Sequence, residues 1–322
     1  MKSRSLILSL LLAGCAVGPE YQQPEIALEN RFADGSAESI GAVAAERWWV
    51  GYNDAVLSEL VSRGLTQSLD VMSATEAIRE AQANLRATGV NSALDGSLSA
   101  SSTAAGGDGI SGSVTTNSAT LGAGLVLDLF GGLRYEQNAA AASLTAARAA
   151  SETVRLAWLA ELVSAYSNAR YYQEVLALTR ATISSREETV GIIGSQLEAG
   201  AATEYEVAEA KALLSSARAS LPQYAALFDA NVYAIATLLN EPAGPIMTQM
   251  QKGARQLSAP GAANTGVPAD LLRNRHDVRS AEADLAAAVA AVGVAEASLY
   301  PSLSLTGTIG RTDRADSWGF GP

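Results

Sequence analysis

The feature that most constrains this chain is a seven-residue recurrence of apolar side chains in two neighbouring stretches. In the first, residues 133–198, Leu162, Ala169, Leu176, Ile183, Val190 and Leu197 stand seven apart, and no proline interrupts them. In the second, from Thr203 to Asn240, Val207, Leu214, Leu221, Phe228 and Ile235 do the same. Ala210, Ala217, Tyr224, Asn231 and Leu238 follow three positions behind. A period of seven keeps one seam of a helix turned toward a partner helix. Both arms carry such a seam and Gly200 separates them, so they are expected to pair antiparallel about a tip at 199–203. Pro222 lies inside the second arm and predicts a bend or a lost hydrogen bond there.

Length arithmetic extends this reading. A helix over 133–198 is ~100 Å long at about 1.5 Å per residue, whereas the second arm reaches only ~57 Å. Residues 241–267 are rich in Pro and Gly and read as an irregular segment. A further helix over 268–300 adds ~50 Å, so two short helices end to end match the long one. The expected body is therefore a rod with an irregular belt at mid-height. Before it, residues 54–94 read as one helix, with Leu57, Leu60, Val61 and Leu65 leading into Ile78, Ala81 and Leu85. Composition agrees: 48% of residues are hydrophobic but only 6% aromatic, the profile of closely packed helices rich in Ala, Leu and Val.

Two segments follow a different period. Leu121, Ala123, Leu125, Leu127 and Leu129 occupy every second position, and Leu303, Leu305 and Ile309 alternate with Ser302, Ser304, Thr306 and Thr308. Period two places the apolar set on one face of a strand and the hydroxyls on the other. A half-buried strand of a soluble sheet has this pattern, and so does a transmembrane strand with lipid outside and water inside. Residues 95–120, rich in Ser, Thr, Gly and Ala, read either as a linker or as a β-hairpin, and their flanks favour the hairpin. A first hairpin over 95–130 and the start of a second over 301–322 follow.

The N-terminus is a secretory signal in outline. Lys2 and Arg4 precede an apolar run from Leu6 to Leu12 that is too short to span a bilayer, which takes ~20 residues. The run ends in Leu12-Ala13-Gly14-Cys15, which resembles a bacterial lipobox. Residues 1–14 are thus expected to be removed and Cys15 to be acylated, giving a membrane lipid anchor, and residues 15–53 read as a tether. Ala16, rather than Asp, favours delivery to the outer membrane.

Charge and chemistry exclude several functions. With 22 Lys and Arg against 33 Asp and Glu, the net charge is -11, which argues against nucleic acid as a partner. A single Cys excludes an internal disulfide and a Cys-rich zinc site. His276 is the only His, so a His-containing triad or multi-His metal site could form only across subunits. Gly106-Gly107-Asp108-Gly109 lacks the Gly-Lys-Ser/Thr of a phosphate loop. Glu204, Glu206 and Glu209 read as a solvated face beside a coiled-coil tip. No enzyme activity and no cofactor are expected.

An internal echo completes the picture. Asp70-Val71-Met72-Ser73-Ala74 returns as Asp277-Val278-Arg279-Ser280-Ala281, each opening an Ala-rich helix that leads into a Ser/Leu strand. In this arrangement the sequence resembles the TolC/OprM-like outer membrane factors, in particular the NodT-type lipoprotein branch that serves RND-type efflux pumps. The resemblance rests on Val17-Gly18-Pro19-Glu20-Tyr21 with Pro24 after the Cys, and on Trp48-Trp49 before Asn53-Asp54 and Leu57. It continues through Asp128-Leu129-Phe130-Gly131-Gly132, then Gly200 with Thr203, Glu204 and Val207. Arg275-His276-Asp277-Val278 stands where the family has Arg-Pro-Asp, and Tyr300-Pro301-Ser302-Leu303 opens the second hairpin.

The resemblance implies a mainly α fold with transmembrane β: long antiparallel coiled-coil helices of an α-barrel protomer plus β-barrel strands, assembled as a homotrimer. It implies a passive channel for drugs or other small molecules, working with a periplasmic adaptor and an inner-membrane RND-type pump. Gly200, Thr203 and Glu204 become the adaptor-facing tip. Type I secretion channels share the fold, and a lipid-anchored coiled-coil spacer that conducts nothing is a reading from another class. The family uses four strands per subunit. Three are present here, and Phe320-Gly321-Pro322 resembles the start of a fourth, so the chain reads as C-terminally truncated, with a strand edge and apolar helix surface left open.

Overall fold

The computed structural model describes residues 17–24, 47–89, 93–105, 113–258 and 272–317. Residues 1–14, Cys15 and the Gly106–Gly109 run lie outside the described residues. The helical elements are α1 (Ala55–Gln67), α2 (Leu69–Ala87), α3 (Gly132–Glu198), α4 (Glu204–Leu238), α5 (Ala243–Gln251) and α6 (His276–Ala297). The strands are β1 (Leu94–Ala105), β2 (Ser113–Leu127) and β3 (Leu303–Ser317). The chain divides into two units. One gathers the described parts of 1–26, 77–149 and 277–322, and the other those of 27–76 and 150–276. No described helix is long and apolar enough to cross a membrane.

The helical unit is built on the seven-residue seams. Each of the ten seam positions in α4 and the six in α3 is buried or half-buried. The arms run antiparallel: Trp158 Nε1 donates to the Leu238 carbonyl at 3.0 Å, Arg186 donates to the Leu213 carbonyl at 2.6 Å, and Arg218 pairs with Glu187 at 2.6 Å. Pro222 sits inside α4 without ending it. Its missing N–H forfeits one bond of the ladder, while the seam residues Leu221, Tyr224 and Phe228 keep that stretch packed against the core.

Three sequence expectations are corrected here. The single helix expected over 54–94 is two, Ala55–Gln67 and Leu69–Ala87, parted at Ser68, whose N–H bonds the Gly64 carbonyl and whose own carbonyl accepts from Met72. The break is made at Ser68, whose backbone turns extended at φ -61, ψ 127; within α1, a Cβ on Gly64 would lie 2.2 Å from the Trp158 ring and 2.8 Å from Leu239, so only glycine fits there. Residues 241–267 are not irregular throughout, because α5 occupies 243–251 and buries Ile246 and Met250 completely. Its Pro245 falls in the first helical turn, where a missing N–H costs nothing. Nor do the described parts of the expected tether, 17–24 and 47–53, run clear of the body. Trp48–Tyr52 form a 3-10 turn with Trp49 in the core, and Val17 donates to the Phe130 carbonyl at 3.2 Å. In that same unit, the Tyr21 hydroxyl meets Glu282 at 3.3 Å, and Gly18 packs against Gly293 and Tyr135 so closely that a Cβ would strike both.

The sheet unit has the order β1-β2-β3, antiparallel throughout. Asp128 joins it to α3: its carboxylate accepts the N–H groups of Leu133 at 3.2 Å and Arg134 at 3.1 Å, which satisfies two otherwise orphaned donors of the first helical turn. Gly131, at φ 83, makes the corner that a side chain resists.

Candidate functional site

Two places carry the features of a conduit. The first is the sheet. Its register sets Leu94, Leu125 and Leu305 in one row, Gly96, Ala123 and Gly307 in the next, and Leu98, Leu121 and Ile309 in a third. Because side chains alternate, these rows share a face. The opposite face carries Ser97, Gly122 and Thr308, then Ser99, Thr120 and Gly310, then Ser101, Ser118 and Thr312. One face is thus aliphatic and the other a field of hydroxyls. The aliphatic face is exposed, with Ile309 79% accessible, whereas on the hydroxyl face Ser118 and Thr120 of the central strand are half-buried. The Phe130 and Tyr300 rings stack at 4.7 Å beside the row of Leu127 and Leu303.

The second place is the tip of the helical unit. At the end of α3 the Gly200 N–H bonds the Leu197 carbonyl at 2.9 Å and the Ala201 N–H bonds the Gln196 carbonyl at 2.7 Å, with Gly200 at φ 72. This paired closure of the last carbonyls requires a left-handed residue, which glycine supplies at least cost. Thr203 then caps α4. Its hydroxyl accepts from the Glu206 N–H at 3.3 Å, while the Glu206 carboxylate accepts from the Thr203 N–H. That hydrogen bond, helped by the Thr203 side chain, holds the Glu206 carboxyl below its ordinary range. Gly200, Thr203 and Glu204 are all exposed at the tip, and Tyr205 beside them is 75% accessible. A cleft of about 340 Å³ between the arms is lined by Arg186, Ile193, Gln196, Glu206 and Leu213. Cys15 lies outside the described residues.

Sequence reasoning missed a polar chain through the helical core. Arg170 is 1% exposed; it donates to the Tyr166 hydroxyl at 3.1 Å and to the carbonyls of Met250 and Lys252 at 3.2 and 2.9 Å. Tyr166 donates in turn to Asp54 at 2.8 Å, and the other Asp54 oxygen accepts from the Leu57 N–H, capping α1. Burial pushes the Tyr166 phenol up to about 12, opposed by Arg170 and assisted by Asp54. The guanidinium stabilises the negative end of α5 from inside the core. The available signal was an Arg directly after the seam residue Ala169.

One unit thus carries a sheet with an aliphatic and a hydroxyl face and the other a capped two-arm helical tip, and comparison with known proteins settles the lineage. The family described as "Outer membrane efflux protein" matches residues 60–241 and 267–321. The chain belongs to this family. Among curated relatives, it is 39% identical over 328 residues to nodulation protein T of Rhizobium leguminosarum biovar viciae, spanning 98% of this chain and 67% of that protein. It is 31% identical to the solvent efflux pump outer membrane protein SrpC of Pseudomonas putida, spanning 100% of this chain and 72% of the relative. Among solved structures, the outer-membrane channel OprN superposes with a TM-score of 0.79 at 27% identity, over 94% of this chain and 73% of that one. The open-state MtrE outer membrane channel of Neisseria gonorrhoeae gives 0.77 at 25% identity, over 94% and 72%. As an outer membrane efflux protein it resides in the outer membrane, so the aliphatic face of the sheet is the lipid face and the hydroxyl face lines the water-filled side.

Proposed function

We propose that this protein is the outer-membrane exit channel of a tripartite efflux pump, a homotrimer that passively conducts drugs or other small molecules out of the periplasm. The observation that carries this reading is the two-faced sheet: aliphatic rows for lipid and Ser/Thr rows for water on the same three strands. The subunit supplies a path and no chemistry of its own. The capped tip around Gly200, Thr203 and Glu204 meets a periplasmic adaptor, which couples the channel to an inner-membrane RND-type pump. Cys15 bears the lipid anchor. The docking of Val17 onto the strand–helix corner supports that role, since it holds the chain two residues after Cys15 against Phe130, three residues past the end of β2.

The channel reading is tested by conductance in planar bilayers together with rescue of drug resistance in a strain lacking its own exit channel. Absence of both sinks it. Cys15→Ser is expected to abolish palmitate labelling while leaving the body folded. Gly200→Pro is expected to weaken adaptor crosslinking more than membrane insertion. Unchanged labelling or unchanged crosslinking, respectively, removes the anchor or the tip assignment.

A further inference from the structure

The lipid face of the sheet ends at a charge. Above the row of Leu98, Leu121 and Ile309 comes the row of Ala100, Ala119 and Arg311, and above that Ser102, Asn117 and Asp313. Arg311 is the first polar side chain met on that face from Leu303 upward. From Leu303 to Arg311 the strand climbs ~26 Å at about 3.3 Å per residue, or ~20 Å once tilted by about 40°. The stacked Phe130 and Tyr300 lie below the first apolar row. An aromatic pair, ~20 Å of aliphatic rows and then a guanidinium reproduce the apolar band of an outer-membrane barrel, ~25 Å tall between its girdles.

We infer that the row of Ala100, Ala119 and Arg311 lies in the outer-leaflet headgroup layer, and that Arg311 binds the phosphate of a lipid headgroup there. The inference rests on the membrane-channel reading above. Asp313, two residues on and on the same face, accepts from Arg311 Nε at 3.0 and 3.3 Å. The ion pair uses Nε, so the two Nη groups remain for an external acceptor. A planar guanidinium offers two parallel donors to a phosphate, which suits it better than an ammonium for this contact. Asp313 positions the side chain, and the polar row it belongs to keeps lipid tails from rising further. Arg314, three residues along, provides an internal control. It falls in the row of Thr103 and Thr116 on the hydroxyl face, so it turns toward the water-filled side.

The test uses the full-length protein inserted in bilayers, extracted mildly and probed by native mass spectrometry with phosphatidylglycerol as the lipid. Arg311→Gln is expected to weaken lipid retention roughly tenfold, the worth of one charge-assisted contact. Arg311→Lys should keep part of it, and Arg314→Gln should retain lipid like the parent. Equal retention in all variants, or equal loss with Arg314→Gln, overturns the inference. Displacement of the lipid by millimolar inorganic phosphate overturns it too, since it would mark a phosphate site indifferent to the headgroup. A protein that never enters the bilayer would bring down the channel reading itself. One that inserts but holds lipid regardless of residue 311 brings down only this assignment.

Discussion

Leucine and isoleucine meet opposite fates in the two units. In the helical unit Leu57, Leu162 and Ile235 are fully buried, and Arg170, the one buried cation among the described residues, is hydrogen-bonded to Tyr166, Met250 and Lys252. In the sheet unit Leu305 is 68% exposed and its row neighbours Leu94 and Leu125 are exposed as well. The helical unit carries its own core. The sheet has none on either face and depends on hydrocarbon to cover its leucines. The difference teaches that one hydrophobicity has been put to two solvents: against other side chains in one unit, against lipid in the other.

The sharpest way to break the comparison is to make the same truncation in both units. Leu162→Ala opens a cavity in the helical core and is expected to cost about 3 kcal/mol. Leu305→Ala removes atoms already in contact with solvent or lipid and should cost under ~0.5 kcal/mol in detergent. Denaturant midpoints followed through the buried indoles of Trp49 and Trp158 measure the first, and sheet circular dichroism the second. Equal losses would mean that the sheet has a protein core of its own.

A charge sharpens it further. Leu305→Arg places a cation on the lipid face and should cost about 2–3 kcal/mol of insertion near mid-membrane. Thr306→Arg, one residue later on the hydroxyl face, should insert like the parent, because its charge meets water. Liposome insertion yields decide the matter. Comparable defects in both variants would contradict the assignment of faces.

How much of this was legible beforehand divides along the same line. The period-seven seams and the alternating strands are written in single positions, and a reader of Leu162, Leu176, Leu303 and Leu305 reaches both architectures. What escaped depends on partners distant in sequence. Gly64 has to be glycine because Trp158 and Leu239 press on it, and nothing near Gly64 announces them. Helix α5 hides behind Pro242 and Pro245, which read as breakers until their place in the first turn is known. The chain from Asp54 through Tyr166 to Arg170 joins residues more than a hundred positions apart. The proposed acylation of Cys15 rests on its local sequence pattern alone.

The polar chain makes the helical unit pH-dependent. The Tyr166 phenol stands at about 12, above its ordinary 10, because burial disfavours the phenolate. Its contribution is fully present below pH ~10 and is lost as pH rises toward 12, amounting to about 2 kcal/mol at most. The denaturant midpoint of the helical unit should therefore fall between pH 9 and 11.5, and Tyr166→Phe should flatten that fall. A fall of the same size in the variant would place its origin in other tyrosines.

The smallest effect belongs to the tip, which resembles the sheet in being exposed yet is held by its own hydrogen bonds. Thr203→Ala removes the hydroxyl that accepts from the Glu206 N–H and leaves the first turn of α4 uncapped. Amide exchange at Glu206 and Val207 should rise roughly five-fold, while exchange around Trp158 and Ile235 stays unchanged. Thr203→Ser, which keeps the acceptor, should restore protection. The Glu206 half of the reciprocal cap responds to acid. Its carboxyl is held low by the Thr203 N–H, so its contribution is present above the ordinary Glu value of ~4.3 and disappears as pH falls through the lowered one. With exchange corrected for its intrinsic pH dependence, Glu206→Gln should match the parent in strong acid and fall behind it at neutral pH. Equal protection at neutral pH would show that the closure at Gly200 alone fixes the turn, and that the tip owes nothing to the cap.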